Sequence, residues 1–152
     1  MSPLYKTPVI LMADDDADDR LLAKDALEEC GLSPDLRFVE NGEELLDYLL
    51  RRGGYTEAGR APRPNLILLD LNMPRKDGRE ALQEIKLSAD LKRIPVVMFT
   101  TSSADIDIDR IYDLGANSFV TKPVTFAEMI KVMKGLGDYW FQVVELPVRS
   151  AA

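Results

Sequence analysis

Short apolar runs alternate along the chain with segments whose apolar residues recur at helical spacing. The run at residues 65–69 lies between Pro64 and Pro74 and holds four apolar residues in succession, which is typical of a strand buried on both faces of a parallel sheet. Strands are predicted at residues 9–13, 36–39, 65–69, 95–100 and 118–121. Helices are predicted at about residues 17–30 and 126–141, after Gly42, after Gly78 and before Gly115.

Five strands that alternate with five helices indicate βαβ units with right-handed crossovers. We therefore predict an α/β, flavodoxin-like (βα)5 fold, a doubly wound parallel sheet with the strand order 2-1-3-4-5. A chain of 152 residues suits one domain. We place this domain at residues 1–142 and a C-terminal tail, without a separate output domain, at 143–152. The segment 53–64 is rich in glycine and proline and is expected to be a surface loop.

Composition and charge narrow the function classes. The net charge of −7 argues against direct binding of nucleic acid, because a phosphate backbone attracts a basic surface. The single cysteine cannot form an internal disulfide, and no apolar run approaches the length of a membrane span. We therefore expect a cytoplasmic protein without membrane association. The absence of histidine removes the commonest general base and metal ligand from its chemistry.

Acidic residues follow two strands that are neighbours in the predicted sheet. Asp14 and Asp15 follow the first strand, and Asp70 follows the third. The carboxyl ends of these strands meet at the topological switch point, where open α/β folds bind their ligands. Carboxylates held together repel one another unless a cation intervenes, and oxygen ligands without histidine or cysteine suit Mg²⁺. The alternative is that these acids only cap a helix or turn, which requires one acid and leaves the others unexplained.

Two further polar side chains are expected at the same edge of the sheet. Thr100 ends the fourth strand, and Lys122 follows the fifth. A hydroxyl and an ammonium beside a metal-bound carboxylate can hold the oxygens of a phosphoryl group, and a carboxylate can be the nucleophile that forms an acyl phosphate. The alternative for each residue alone is structural, because threonine favours strands and a lysine at a strand end is usually solvated.

Taken together, these residues resemble the receiver domain of two-component response regulators, from about residue 9 to residue 141. The motifs that carry the resemblance are Asp14-Asp15, the segment 68–74, Asp77-Gly78, Thr100, Gly115-Ala116 ahead of Phe119, and Lys122-Pro123. The resemblance implies a signalling protein and not an enzyme. Three departures from the family are Thr101, Lys76 and a longer loop at residues 51–64, and none of them removes a residue that the chemistry requires.

The resemblance also implies a role for each site residue. Asp70 would accept the phosphoryl group, and Thr100 and Lys122 would hold its oxygens. Phe119 would be an aromatic switch that turns inward as Thr100 moves toward the phosphoryl group. The implied ligands of Mg²⁺ are Asp14, Asp15, Asp70 and the main-chain carbonyl of Asn72.

Finer motifs, at residues 76–80, 91–95 and 139–147, are similar to the small regulators that partner phytochrome-type histidine kinases. The implied partner is a sensor histidine kinase such as a bacteriophytochrome, and the donor histidine must lie on that partner because this chain has none. Apolar residues from Tyr139 to Val148 exceed what a buried helical stripe needs. They favour a homodimer formed by the fourth helix, fifth strand and fifth helix over simple core packing.

Other functions compete with this interpretation. A haloacid-dehalogenase-like phosphatase also forms an aspartyl phosphate, but its nucleophile precedes its acidic pair and is followed two residues later by a second aspartate, where this chain has Asn72. A flavodoxin-like electron carrier needs a Ser/Thr/Gly phosphate loop after the first strand, where this chain has acids. A third alternative is a receiver-shaped scaffold that binds partners without phosphotransfer.

Overall fold

The computed structural model describes residues 7–57, 59–101, 105–143 and 145–146. Five strands in this part of the chain form one parallel sheet in the order β2-β1-β3-β4-β5, so the predicted fold class and strand order are confirmed. The strands are β1 (Val9–Ala13), β2 (Asp35–Val39), β3 (Leu66–Leu69), β4 (Val96–Thr100) and β5 (Ser118–Thr121). Of the predicted tail, residues 144 and 147–152 lie outside the described residues.

Helices connect the strands and cover both faces of the sheet. They are α1 (Ala17–Glu29), α2 (Gly42–Leu50), α3 (Gly78–Leu87), α4 (Asp105–Asp113) and α5 (Phe126–Asp138), with a 3-10 turn at Gly53–Tyr55 and a π-helical turn at Tyr139–Val143. The helices α2, α3 and α4 pack on one face, and α1 and α5 pack on the other. Among the described residues, no helix combines the length and the apolar character that a membrane crossing requires.

The strand β3 lies at the centre of both core layers. Its residues Ile67 and Leu69 pack on the side of α2, whereas Leu66 and Leu68 pack on the side of α1. All four are buried, as the unbroken apolar run predicted. Each such side chain contributes about 1.5–3 kcal/mol by leaving water. The residue that follows β3 is therefore attached to a fully buried strand at the centre of the sheet.

The last helix differs from its prediction. The regular part of α5 ends at Asp138, and the chain continues as a π-helical turn to Val143, whereas the pattern predicted one helix to about residue 141. Gly137 is buried, and a Cβ atom there would overlap the Leu32 side chain. This glycine therefore lets α5 approach the segment that follows α1. Trp140 and Phe141 pack partly against the core layer of α1 and α5.

The described residues of the segment 53–64 form a mostly exposed loop, as predicted, and the end of this loop is attached to α2. The Tyr48 hydroxyl donates a 2.8 Å hydrogen bond to the Pro62 carbonyl, and Arg51 Nε donates one of 3.2 Å to the Ala61 carbonyl. Ala61 is buried in the core layer of α2. The apolar content of this segment is low, so the pattern of its residues did not reveal these contacts to α2.

Candidate functional site

Four polar residues that the sequence singled out lie at the carboxyl edge of the sheet. Asp14 follows β1, Asp70 follows β3, Thr100 ends β4 and Lys122 follows β5. All four are buried, which is unusual for polar side chains outside a site. Backbone hydrogen bonds hold three of them, because the N–H groups of Asp14, Asp70 and Lys122 donate to Val39, Ala13 and Thr100 at 3.0, 3.0 and 2.8 Å.

Three carboxylates at this edge form an acidic group. Asp14, Asp15 and Asp70 each offer an oxygen, and these atoms lie within 4.8 Å of one another. Asp14 and Asp70 are buried, whereas Asp15 is exposed. Such a set of oxygen ligands, open to water on one side, suits a hard divalent cation that keeps part of its water shell.

The Asp14 carboxylate is held by one hydrogen bond and one ion pair. Its Oδ1 accepts a 2.9 Å hydrogen bond from the Asp16 N–H. Its Oδ2 is buried without a hydrogen bond among the described residues, although it lies 2.6 Å from the Lys122 ammonium in an ion pair. Burial raises the pKa of Asp14 above its ordinary value, and the contact with Lys122 offsets this only in part. A buried anionic oxygen with spare ligand capacity fits a bound cation.

Lys122 connects the strand ends through three ion pairs. Its ammonium lies 2.6 Å from Asp14 Oδ2, 2.8 Å from Asp19 Oδ2 and 3.1 Å from Asp70 Oδ2, with 5% of the side chain exposed. Burial alone lowers the pKa of Lys122, but the hydrogen bonds and charges of the carboxylates outweigh it, so the net pKa is raised. The ammonium therefore stays charged and fixed beside Asp70.

Asp19 is the site residue that the sequence pattern did not single out. It lies in the first turn of α1, five positions after Asp14, and contacts the ammonium of Lys122. The acidic run from Asp14 to Asp19 was the available signal, but helix capping explained it equally well. Asp16 is the residue that caps α1, by accepting from the N–H groups of Asp18 and Asp19.

Two predicted site residues, Asn72 and Phe119, are outside the group of buried polar side chains. Asn72 is exposed, two positions after Asp70. Phe119 lies inside β5, where its backbone pairs with Met98, and its partly buried ring packs against the core layer of α2. The Phe119 N–H donates a 3.1 Å hydrogen bond to the Tyr112 hydroxyl of α4. The metal-ligand role of Asn72 and the switch role of Phe119 stay predictions.

A close turn holds the backbone that follows Asp70. The Gly78 N–H donates a 2.9 Å hydrogen bond to the Leu71 carbonyl, and a Cβ atom on Gly78 would overlap the Asp70 carbonyl. Asp77 and Glu80 form a reciprocal capping box at the start of α3. The acid at the end of β3 is thus fixed by β3 on one side and by the start of α3 on the other.

The chain matches a known domain family over most of its length. The family model for the response regulator receiver domain matches residues 10–134. The chain belongs to this family. Receiver domains are signalling modules, so the family assignment disfavours both the phosphatase and the electron carrier that the residues left open.

Two relatives of this receiver domain are similar to it over nearly their whole length. The response regulator Rcp1 of Synechocystis sp. (strain ATCC 27184 / PCC 6803 / Kazusa) is 40% identical over 139 residues, which are 91% of this chain and 92% of Rcp1. The crystal structure of the phosphorylated cyanobacterial phytochrome response regulator RcpA is 38% identical, with a TM-score of 0.86, and covers 94% of this chain and 100% of RcpA.

The Mn²⁺-bound form of Rcp1 has also been solved. It is 40% identical to this chain with a TM-score of 0.83, over 93% of this chain and 99% of the Rcp1 chain. A divalent metal is thus bound by a receiver domain of the same fold. The acidic group of Asp14, Asp15 and Asp70 is compatible with such a metal and with phosphorylation.

Proposed function

We propose that this receiver domain accepts a phosphoryl group on Asp70 from a phosphohistidine of a sensor histidine kinase. The observation that carries the proposal is the buried Asp70 carboxylate, which lies 3.1 Å from the Lys122 ammonium and within 4.8 Å of two further carboxylates. A structural acid at a strand end would not need both a fixed cation and an acidic group beside it. The proposal is Mg²⁺-dependent signalling by a response regulator.

The proposed transfer moves the phosphoryl group directly from the donor histidine to Asp70 and needs no other reactant. An Asp70 carboxylate oxygen attacks the phosphorus, a new P–O bond forms, and the P–N bond to the donor imidazole breaks. The imidazole leaves with the bonding electron pair and retains one ring proton as neutral histidine. Negative charge is spread over the phosphoryl oxygens during the transfer, and the Lys122 ammonium, 3.1 Å from Asp70, would stabilise this charge.

Four residues are proposed to hold the metal. These are Asp14, Asp15, Asp70 and, through its main-chain carbonyl, Asn72. Bound Mg²⁺ would neutralise the repulsion between the acids and the incoming phosphoryl group. The buried Asp14 carboxylate, which has an oxygen within 4.8 Å of oxygens of Asp15 and Asp70, supports this assignment. Mg²⁺ is proposed because carboxylates, carbonyls and water are its usual ligands, and Mn²⁺ takes the same ligands.

Thr100 and Phe119 are proposed to carry the signal away from Asp70. Thr100 is fully buried at the end of β4, next to β5, which carries Phe119. A hydroxyl that follows the phosphoryl oxygens would open space for the Phe119 ring, and this ring already packs against the core layer of α2. The Phe119 N–H donates a hydrogen bond to the Tyr112 hydroxyl, so a movement of Phe119 would displace α4.

The partner proposed for this chain is a phytochrome-type histidine kinase, because RcpA is a phytochrome response regulator of the same fold. A homodimer through α4, β5 and α5 is also proposed. Its support is the exposure of Tyr112 on α4 and of Tyr139 just after α5, at 47% and 51%. The cytoplasmic location and the division into residues 1–142 and 143–152 stay predictions.

The test is phosphorylation by acetyl phosphate in the presence of Mg²⁺, followed by intact mass. We expect one phosphate adduct on the wild type and none on Asp70→Asn, which keeps the side-chain volume but lacks the nucleophilic carboxylate. Omission of Mg²⁺ should abolish the adduct. No adduct on the wild type with any divalent metal would overturn the proposal and favour the scaffold that signals by binding alone.

A further inference from the structure

The Lys122 ammonium has one carboxylate partner that does not belong to the acidic group. Asp14 and Asp70 belong to the group that can hold a cation, whereas Asp19 does not. Asp19 nevertheless accepts a 2.8 Å hydrogen bond from Lys122, shorter than the 3.1 Å bond that Asp70 accepts. The ammonium is therefore held from the side of α1 as well as from the strand ends.

The two strand-end carboxylates change their bonding in the proposed reaction, and Asp19 does not. A dication beside Asp14 and Asp70 competes with Lys122 for their oxygens. Asp70 also becomes an acyl phosphate, so the oxygen that takes up phosphorus can no longer serve Lys122 as a carboxylate. The Asp19 carboxylate undergoes neither change, so it remains an anionic partner of the ammonium throughout.

The position of Asp19 is fixed by the start of α1. Asp16 accepts hydrogen bonds from the N–H groups of Asp18 and Asp19 at 2.9 and 3.3 Å. Arg20 Nη1 donates a 2.7 Å hydrogen bond to the Asp14 carbonyl, which joins α1 to the end of β1. Asp19 has 30% of its side chain exposed and Lys122 only 5%, so Asp19 lies on the solvent side of the ammonium.

We propose that Asp19 is a positioning residue that holds the Lys122 ammonium beside Asp70 while the metal and the phosphoryl group engage the other carboxylates. The proposal rests on the proposed phosphotransfer to Asp70. Without Asp19, the Lys122 ammonium can move toward whichever oxygen of Asp14 or Asp70 the metal does not bind, or it can move into solvent. Lys122 would then be charged but misplaced when the phosphoryl oxygens arrive.

The test compares Asp19→Asn with Asp18→Asn. Both substitutions remove one negative charge from the first turn of α1, but among the described residues Lys122 contacts Asp19 and not Asp18. We expect the rate of adduct formation from acetyl phosphate at saturating Mg²⁺ to fall about three- to tenfold in Asp19→Asn, as for loss of a charged hydrogen bond that solvent partly screens. It should stay close to the wild-type rate in Asp18→Asn. Equal rates in the two variants would overturn the proposal.

A second measurement tests the position of the Lys122 ammonium without phosphotransfer. In the wild type and in Asp18→Asn, the ¹⁵N NMR signal of the Lys122 ammonium should persist when Mg²⁺ is added. In Asp19→Asn, the ammonium protons should exchange with water about fivefold faster, since the constant anionic partner of the ammonium is lost. Unchanged exchange in Asp19→Asn would overturn the positioning role. If wild type formed no adduct but this exchange responded to Asp19, the phosphotransfer would fail and the positioning would stand.

A double-mutant cycle separates positioning from a general structural effect. In a Lys122→Met background, the Asp19→Asn substitution should leave the residual rate of adduct formation unchanged, because the group that it positions is gone. The same relative loss with and without Lys122 would show that Asp19 acts elsewhere, and would overturn the proposal.

Discussion

The backbone N–H of Gly42, at the start of α2, donates a 2.9 Å hydrogen bond to the carbonyl oxygen of Lys76. A Cβ atom on Gly42 would overlap that oxygen. Arg75, the preceding residue, has a positive φ of 66° and pairs with Glu43 of α2 at 3.4 Å. The start of α2 therefore holds the segment that runs from Asp70 to α3, on which the proposed metal carbonyl lies.

Substitution of Gly42 should disturb that segment. We expect Gly42→Ala to lower the free energy of unfolding by about 1–3 kcal/mol, because backbone atoms must separate to admit the methyl group. Adduct formation at Asp70 should slow as well. Gly54→Ala is the control, since a Cβ atom there meets nothing within 4 Å. Urea denaturation of both variants checks the expectation, and equal midpoints would contradict it.

Metal affinity should depend on pH through Asp14. Burial raises the pKa of Asp14 above its ordinary value of 3.8. In the metal-free protein, the folded state thus binds the proton of the Asp14 carboxyl group more tightly than the unfolded chain does. The contribution of Asp14 to the free energy of unfolding therefore grows as pH falls through the raised pKa toward 3.8. A cation needs the ionised carboxylate, so Mg²⁺ affinity should weaken over the same fall in pH.

Calorimetric titration with Mg²⁺ from neutral pH down toward 3.8, the ordinary pKa of Asp14, checks this dependence. In Asp14→Asn the affinity should be lower at neutral pH and should vary less with pH, because an amide does not titrate in this range. If the wild type and Asp14→Asn lost affinity in parallel, Asp14 would not be the group responsible.

Self-association should depend on the exposed aromatic residue after α5. Tyr139→Ser removes a side chain that is 51% exposed, and we expect the dimer dissociation constant to rise about tenfold, as for a moderately important interface aromatic. Leu87→Ser is the matched control, because Leu87 is 78% exposed at the end of α3, away from the proposed interface. Sedimentation velocity distinguishes the two, and equal effects would argue against this interface.

Two glycines of α5 should respond differently to alanine. Gly135 is exposed with nothing within 4 Å of a Cβ atom, so Gly135→Ala should raise the free energy of unfolding by about 0.5–1 kcal/mol through helix propensity. Gly137→Ala should raise the free energy of unfolding by less, because the Leu32 side chain must move to make room for the methyl group. Thermal unfolding of the two variants compares them directly, and an equal gain would mean that Leu32 moves without cost.

Much of the site followed from local pattern. The ends of parallel strands meet at one edge of a sheet, so the positions of Asp14, Asp70 and Lys122 could be predicted once the apolar runs had been assigned. Their burial and their mutual distances agree with that expectation. The strand order was also predictable, because short right-handed crossovers leave few alternatives.

Contacts between helices and strand ends could not be predicted in this way. Asp19 and Lys122 are 103 positions apart in the sequence, and they meet because α1 packs against α5, the helix that follows Lys122. The approach of Gly42 to Lys76 and of Gly137 to Leu32 depends likewise on how closely neighbouring elements pack. The spacing of apolar residues predicts which face of a helix or strand is buried. It does not predict the angle or the distance at which two such faces pack against each other.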